Sequence, residues 1–305
     1  MSLFGKLKRW RNGLAGTAAR MVSAAPIFEK PAIKIGRALG QGPVFCSLYR
    51  EFRTELSRLL TSQGRDCKLT NLGGIEIRFS ISHFTMHGFW FQGIIYEEAT
   101  LRALKQKLRA GSTFVDIGSN AGYFSVIAGM IVGAAGKVHS FEPNPAVFAR
   151  LQRHVTANHL ETTVESHQLA LSDADLGAAQ LFVPINRHND GLASILPFDG
   201  KGTDQRNGAV ETVSVACTSF DCFAARLQLT AVDLMKIDVE GAEDKVINGM
   251  REFLSRHPPK TIILETPRDS DAFKALKDHG YSVRLLDRHD SGNGNYLFEH
   301  ASFLG

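Results

Sequence analysis

The chain has 305 residues, 44% of them hydrophobic, and a formal net charge of +4. That length accommodates one large α/β domain with a smaller addition, and that hydrophobic share supplies a sizeable core. The slight positive balance excludes a nucleic-acid binder driven by overall charge, so no nucleic-acid partner is expected. The four cysteines (Cys46, Cys67, Cys217, Cys222) have neither paired nor zinc-type spacing, which excludes a disulfide scaffold and reads as reduced thiols in a cytoplasmic protein.

Positive charge is concentrated at the start, where Lys6, Lys8, Arg9, Arg11 and Arg20 all precede the first acid, Glu29. From Met1 to about Thr61 the pattern is helical, interrupted by Pro26, Pro31 and Pro43. Phe4, Leu7, Trp10 and Leu14 recur at helical spacing among these basic residues. Such a helix suits docking on this domain or on a second subunit; the competing expectation is a weak peripheral contact with the inner face of an anionic membrane. Gly13 to Phe28 is too short to span a bilayer, and Arg20 interrupts the apolar run that a secretory leader needs. Lys68 to Ser80 alternates as two short strands around the turn Asn71-Leu72-Gly73-Gly74. His83 and His87 are four apart, but their surroundings read as extended and no metal site is expected there. Tyr96 to Leu108 then reads as a helix with Leu101, Leu104 and Leu108 on one face, ended by Gly111. The expected organisation is an N-terminal helical and short-strand extension over 1–95 and a second domain over 96–305.

After Gly111 the pattern alternates. Strands are expected at Thr113–Ser119, Lys137–Glu142, Thr163–Leu171, Val232–Asp238, Thr261–Glu265, Tyr281–Leu286 and Asn295–Phe298. Helices are expected over Ala121–Val132, Ala146–His159, from Ala242, and over Asp271–His279. This rhythm predicts an α/β fold with a mainly parallel sheet of seven strands, because parallel neighbours need a crossover. The closing turn Ser291-Gly-Asn-Gly294 is too short for one, so the last strand is expected to run antiparallel. A polar stretch from Asp173 to Thr212 interrupts the alternation. Leu181–Val183 and Val213–Val215 look like its strand flanks, and Gly191 and Gly200 suit hinges of a lid.

The first βα turn, Asp116-Ile-Gly118-Ser-Asn120-Ala-Gly122, lies where open α/β sheets bind ligands. Glu142, about 20 residues beyond the glycines, ends the next strand, where an acid can accept hydrogen bonds from both hydroxyls of a ribose. A nicotinamide dinucleotide requires G-x-G-x-x-G, and Asn120 replaces the second glycine; Asp116 would also oppose a diphosphate. S-adenosylmethionine has no phosphate and presents an ammonium and a sulfonium, which an acid favours. The bland alternative is a βαβ unit with ordinary turn glycines and a solvated Glu142.

Phe114-Val-Asp-Ile-Gly-Ser-Asn-Ala-Gly-Tyr-Phe-Ser125, Phe141-Glu-Pro-Asn-Pro145 and Leu234-Met-Lys-Ile-Asp-Val-Glu-Gly-Ala-Glu243 together resemble the FkbM family of methyltransferases. The similarity extends from about Tyr96 to Glu299, through Leu169-Ala-Leu-Ser-Asp173, Gly191-Leu-Ala-Ser194 and Ile263-Leu-Glu265. The resemblance implies a Rossmann-like methyltransferase fold and S-adenosyl-L-methionine as the methyl donor. It places Asp116, Gly118, Asn120, Gly122 and Glu142 in the donor site. Members typically methylate hydroxyl oxygens, so the expected acceptor is a small molecule, a sugar or a glycolipid. N-methylation and a non-catalytic scaffold are the alternatives. Asp238-Val-Glu-Gly241 stands where nitrogen methylases often carry an Asn/Asp-Pro-Pro-aromatic block, and the intact donor positions argue against the scaffold.

On the acceptor side, Lys236, Asp238 and Glu240 are spaced by two and share one side of an extended chain. Asp238 interrupts an apolar strand where a ligand would lie, making Asp238 and Glu240 candidate catalytic carboxylates. Glu243 suits the first turn of the following helix through its dipole. Asp238 and Glu265 end successive strands and form a candidate Mg²⁺ pair of hard oxygen ligands. In the polar stretch, Arg187, His188, Asn189, Asp190 and Ser194 supply hydrogen-bonding groups, with His188 as a candidate base.

Overall fold

The computed structural model describes residues 3–40, 43–184, 193–196, 210–288 and 293–303. The chain divides into two units, Met1–Tyr96 and Glu97–Gly305. In the first, helices α1 (Leu3–Ala24), α2 (Glu29–Leu39) and α3 (Pro43–Ser62) precede a hairpin of β1 (Cys67–Leu72) and β2 (Ile75–Ser80), and α4 (Phe84–Gln92) follows. Its core gathers Ala15, Ala19, Ile33, Phe52, Leu56 and Leu60. Among the described residues of α1 the buried ones are small, Ala15, Ala19 and Ser23, while Trp10 and Leu14 are exposed. Buried Glu29 is matched by Lys68 Nζ at 2.8 Å. The extended reading around His83 and His87 is corrected: His83 caps α4, and His87 lies within it. Six of the nine residues of α4 are aromatic, β-branched or glycine, types of modest helix propensity, so neither propensity nor an apolar stripe announces the helix. Among the described residues no helix is long and apolar enough to cross a membrane.

The second unit opens with α5 (Glu98–Lys107) and then alternates β3 (Thr113–Ile117), α6 (Tyr123–Val132), β4 (Lys137–Phe141), α7 (Pro145–Ala157) and β5 (Val164–His167). Two excursion strands follow, β6 (Ala170–Ser172) and β7 (Gly177–Pro184), then β8 (Val210–Ser219) and α8 (Phe220–Leu227). The alternation resumes with β9 (Leu234–Ile237), α9 (Glu243–Asn248), α10 (Arg251–Arg256), β10 (Thr261–Thr266) and α11 (Asp271–Asp278), and ends on β11 (Tyr281–Arg288) and β12 (Gly294–His300). The main sheet has seven strands in the order β11-β12-β10-β9-β3-β4-β5, and only β12 runs against the rest. This is the expected Rossmann-like α/β fold. The expected strand Thr163–Leu171 is split: β5 stays in the main sheet, while β6 pairs with β8 in a separate sheet of order β6-β8-β7.

Caps fix where the helices start. Asn144, Ser219 and Ser270 accept backbone N–H bonds at the N-termini of α7, α8 and α11. The strands β3 and β9 are almost wholly buried, as parallel strands covered on both faces must be. Val115, Ile117, Phe141, Met235 and Ile237 form one sheet face with Phe223, Val246, Phe253 and Phe273 from α8 to α11. Helices α5, α6 and α7 pack on the other face. From β3 the chain moves outward to β4 and β5 and returns on its other side at β9, so the strand order reverses at the carboxyl end of β3.

Candidate active site

At that reversal the turn after β3 is sterically closed. Gly118 has φ +80°, and a Cβ there would collide with the carbonyl oxygen of Asp238. Gly122 has φ +84°, and a Cβ would meet the side chain of Leu151 on α7. Both glycines are favoured by their left-handed backbone angle, and at Gly118 the Asp238 backbone carbonyl also leaves no space for a Cβ. The amides of Gly118 and Ser119 donate to the Phe141 carbonyl at 3.0 and 2.9 Å, tying the turn to the end of β4. Asn120 lies at φ +50°, and its Oδ1 accepts the Ala121 N–H at 2.7 Å. Beneath the turn, buried His154 donates from Nδ1 to the Ala121 carbonyl at 2.7 Å.

Asp116 is buried, and Ser125 Oγ donates to its Oδ2 at 2.5 Å. Burial pushes the carboxyl up to about 6, with the Lys236 ammonium and the Ser125 hydroxyl pulling the other way. Glu142 is also buried, and its Oε1 accepts the Asn144 N–H at 2.8 Å at the mouth of the β4–α7 turn. Asp116 and Glu142 thus bracket the turn from the ends of neighbouring strands.

Beside this turn stands a cluster of carboxylates. Asp238 follows β9, Glu265 lies near the end of β10, and Glu97 precedes α5; an oxygen of each lies within 4.8 Å of the others. Lys236 is buried among them and donates to Asp238 Oδ2 at 2.7 Å. Its ammonium also lies 5.1 Å from the centre of the Phe124 ring. Burial alone would lower the Lys236 pKa, yet the charges of Asp238, Glu97 and Asp116 hold it above the ordinary lysine value. Glu265 is driven the other way: burial and then the charge of Asp238 raise its carboxyl well above the usual range. Asn295 Nδ2 donates to Glu97 Oε2 at 3.2 Å from β12. Among the described residues, one buried ammonium, that of Lys236, faces Asp116, Asp238, Glu97 and Glu265.

Glu240 does not continue the strand. The chain leaves β9 at Ile237, and Glu240 lies in a turn at φ +54°, at the exposed rim. Desolvation there and the charges of Asp238 and Glu243 raise its carboxyl, although contact with solvent weakens the first effect. Glu243 accepts the Val239 and Gly241 amides at 3.2 and 3.1 Å and so holds this turn. The expected alignment of Lys236, Asp238 and Glu240 is thus corrected: only the first two share a side and pair. Glu97, Asn120 and Glu240 all occupy the left-handed backbone region. A non-glycine residue there costs roughly 1–2 kcal/mol, a concentration of strain that suits a functional site.

The fold places Asp116, Gly118, Asn120, Gly122 and Glu142 around one turn, with Asp238 and Glu265 on adjoining strand ends. His188, with Arg187, Asn189 and Asp190, lies outside the described residues, as do Gly191 and Gly200. Ser194 is described and bridges to Phe182, each amide donating to the other residue's carbonyl at 3.1 and 2.8 Å. The flanks of that stretch pair as β7 and β8, as their composition predicts. Sequence reasoning missed Glu97, Ser125, His154 and the buried role of Lys236. Only Ser125 and Lys236 lay inside the quoted motifs, where a polar residue in an otherwise apolar run was the available signal.

Among known proteins, residues 116–283, just over half of the chain, match the family described as Methyltransferase FkbM domain. Methyltransferase 1 of Beauveria bassiana is 30% identical over 147 residues, covering 46% of this chain and 58% of that protein. The chain thus spans less than two thirds of that relative's length. The 31-O-demethyl-FK506 methyltransferase FkbM of Streptomyces tacrolimicus is 27% identical over 200 residues, covering 58% of this chain and 75% of that one. Among solved structures, Aeropyrum pernix fibrillarin in complex with natively bound S-adenosyl-L-methionine aligns with a TM-score of 0.39 at 14% identity, over 76% of this chain and 81% of its own.

Proposed function

The chain belongs to the FkbM methyltransferase family, and from that premise we propose that it transfers the methyl group of S-adenosyl-L-methionine to a hydroxyl oxygen of a carbohydrate, glycolipid or secondary metabolite. The observation that carries this reading is the pairing of a closed glycine turn with an acid-rich, cation-poor strand end. The donor's ammonium and sulfonium meet the buried acids at the turn, Asp116 and Glu142, while the neighbouring cluster of Glu97, Asp238 and Glu265 with Lys236 faces the acceptor. Glu142 accepts hydrogen bonds from the ribose hydroxyls, and the turn from Gly118 to Gly122 lets the donor approach the backbone.

Methyl transfer is an in-line displacement. The acceptor oxygen forms a bond to the methyl carbon, the carbon–sulfur bond breaks, and its electron pair neutralises the sulfonium. The acceptor proton must also leave. Asp238 orients the acceptor while held by Lys236, and Glu265, whose affinity for protons is raised by burial and the charge of Asp238, receives that proton when it is ionised. Glu240 at the rim is a further candidate contact, and His188 remains a candidate base from the polar stretch.

Mg²⁺ is a second reading, favoured by the three carboxylates. Glu97, Asp238 and Glu265 offer hard oxygen ligands, and Mg²⁺ held by them would supply charge that lowers the pKa of an acceptor hydroxyl. Lys236 already claims one Asp238 oxygen, leaving the other for such an ion.

The test combines calorimetry with transfer of label from donor to glycan, lipid and small-molecule fractions of a cell extract. Micromolar donor binding, roughly 8 kcal/mol, is expected. Asp238→Asn should lower turnover at least about tenfold and leave donor affinity nearly intact. Loss of donor binding in that variant would move Asp238 to the donor side, and full turnover in excess chelator would remove Mg²⁺.

A further inference from the structure

A second group of ligand-type side chains lies on the opposite face of the sheet from Asp116. Parallel pairing sets His139 on β4 beside Glu165 on β5, and Phe141 beside His167. Residues two apart on a strand share a face, so His139, Glu165 and His167 converge at the edge strand β5. One nitrogen of each imidazole and one Glu165 oxygen lie within 4.8 Å of one another. His139 is 6% exposed. Its Nδ1 and the Nε2 of His167 are both buried, and neither has a hydrogen-bond partner among the described residues. Buried polar atoms in folded proteins are almost always paired, so two orphaned nitrogens on neighbouring imidazoles call for a partner.

Glu165 does not supply it. Its Oε2 is 3.6 Å from His139 Nδ1, too long for a hydrogen bond. That spacing instead approaches the roughly 3.4 Å between two ligand atoms around a tetrahedral Zn²⁺ with bonds of about 2.0–2.1 Å. The rings of His139 and His167 lie nearly parallel, 24° apart with centres 5.7 Å apart, and Phe223 of α8 stands edge-on to both. Phe141 stacks on His167 at 4.9 Å. The imidazoles are thus held by packing rather than by hydrogen bonds. Glu165, whose side chain is 48% exposed, is able to rotate inward and leaves an open side for water.

We infer that His139, Glu165 and His167 form a binding site for a divalent transition metal of the zinc class, separate from the methyl-transfer site. Two imidazoles and one carboxylate match the borderline ligand preference of Zn²⁺, whereas Mg²⁺ favours oxygen alone. A neutral imidazole ligates through the lone pair of one ring nitrogen. An ion here pins the edge strand to β4. The His167 carbonyl accepts the Glu142 amide at 3.1 Å, so the metal steadies the strand end that carries the ribose-binding acid.

The test uses the untagged full chain, stripped with chelator and dialysed free of it, with ZnCl₂ and CoCl₂ as probes. One equivalent of Zn²⁺ should bind and raise the unfolding temperature, excess Mg²⁺ should not displace it, and Co²⁺ should give the intense visible absorption of a low-coordinate site. Glu265→Gln should retain that equivalent, and the double variant His139→Gln/His167→Gln should lose it. Glu165→Gln, at a partly exposed position with the fold checked by circular dichroism, covers the case in which the double variant does not fold. It should bind Zn²⁺ at least about tenfold more weakly. Absence of binding by the stripped wild type, unchanged affinity in Glu165→Gln, or loss of the equivalent in Glu265→Gln would each overturn the inference.

Discussion

Between Ile117 and Tyr123 the backbone is held by two glycines at positive φ, one of them closed by a backbone carbonyl, by two amides on one carbonyl, and by a histidine bond from below. Across the same strand ends, Glu97, Asp238 and Glu265 are held close against their mutual repulsion, with Lys236 as the one buried ammonium among them. The first region is held by shape and by hydrogen bonds. The second is under electrostatic tension that a proton or a cationic ligand relieves. A ligand at the first region would meet a preorganised surface, and one at the second would meet acids whose charge it can relieve.

Removing the ammonium is the hardest blow to this arrangement. Lys236→Met leaves the carboxylates buried without their partner and should destabilise the protein by about 3–5 kcal/mol at pH 8. The deficit should shrink in acid, as the carboxyls take up protons. Urea denaturation at pH 5 and pH 8 measures both values. An equal loss at the two would mean that Lys236 contributes packing alone, and the contrast between the regions would collapse.

Gly118→Ala attacks the other region. The added methyl must displace the Asp238 carbonyl at a backbone angle that alanine resists, costing about 3 kcal/mol. Because that carbonyl belongs to the acid cluster's own turn, donor binding and turnover should fall together. Thermal unfolding and calorimetry on one preparation test this, and a variant with wild-type donor affinity would show the turn to be adaptable.

The difference between the regions also explains what the sequence revealed. The glycine turn is local: Asp116, Gly118, Asn120, Gly122 and Glu142 fall within one βαβ unit, and the period of the pattern places them. Glu97 lies 141 residues before Asp238, at the head of a helix whose apolar stripe says nothing about its first acid, and only closure of the sheet brings the two together. The parallel course of the sheet and its reversed last strand were legible from the alternation and the short closing turn, whereas the order of the strands comes from their pairing. The split of Thr163–Leu171 was not, because Gln168 and Leu169 are unremarkable in sequence and the break is set by pairing of β6 with β8. The helix around His87 was hidden by residues with weak helical preference.

Glu142→Ala separates donor recognition from either kind of stability. Loss of an ionised acceptor for the ribose hydroxyls should cost about 2 kcal/mol of donor affinity, near thirtyfold in Kd. The unfolding temperature should move much less than in the Gly118 variant. Calorimetry returning the wild-type Kd would remove Glu142 from the donor site.

The smallest effect should come from Ser125→Ala, and it tests whether the buried acid at the junction of the two regions ionises at all. Asp116 has its folded pKa raised from 3.8 to about 6, so the stability it contributes is fully present below pH 4 and is lost as pH rises through 6. Ser125 Oγ donates to its Oδ2 and so favours the charged form. Without that hydroxyl the folded pKa rises further, and stability keeps falling above pH 6 where the wild-type curve from this group levels off. At pH 4 the variant loses only a bond to a neutral acid; at pH 8 it loses a bond to a charge, an added deficit of about 1 kcal/mol. Denaturation of donor-free protein at pH 4, 6 and 8 reads this directly. A deficit independent of pH would mean that Asp116 keeps one protonation state throughout, and that relief of charge in this molecule is confined to the cluster around Lys236.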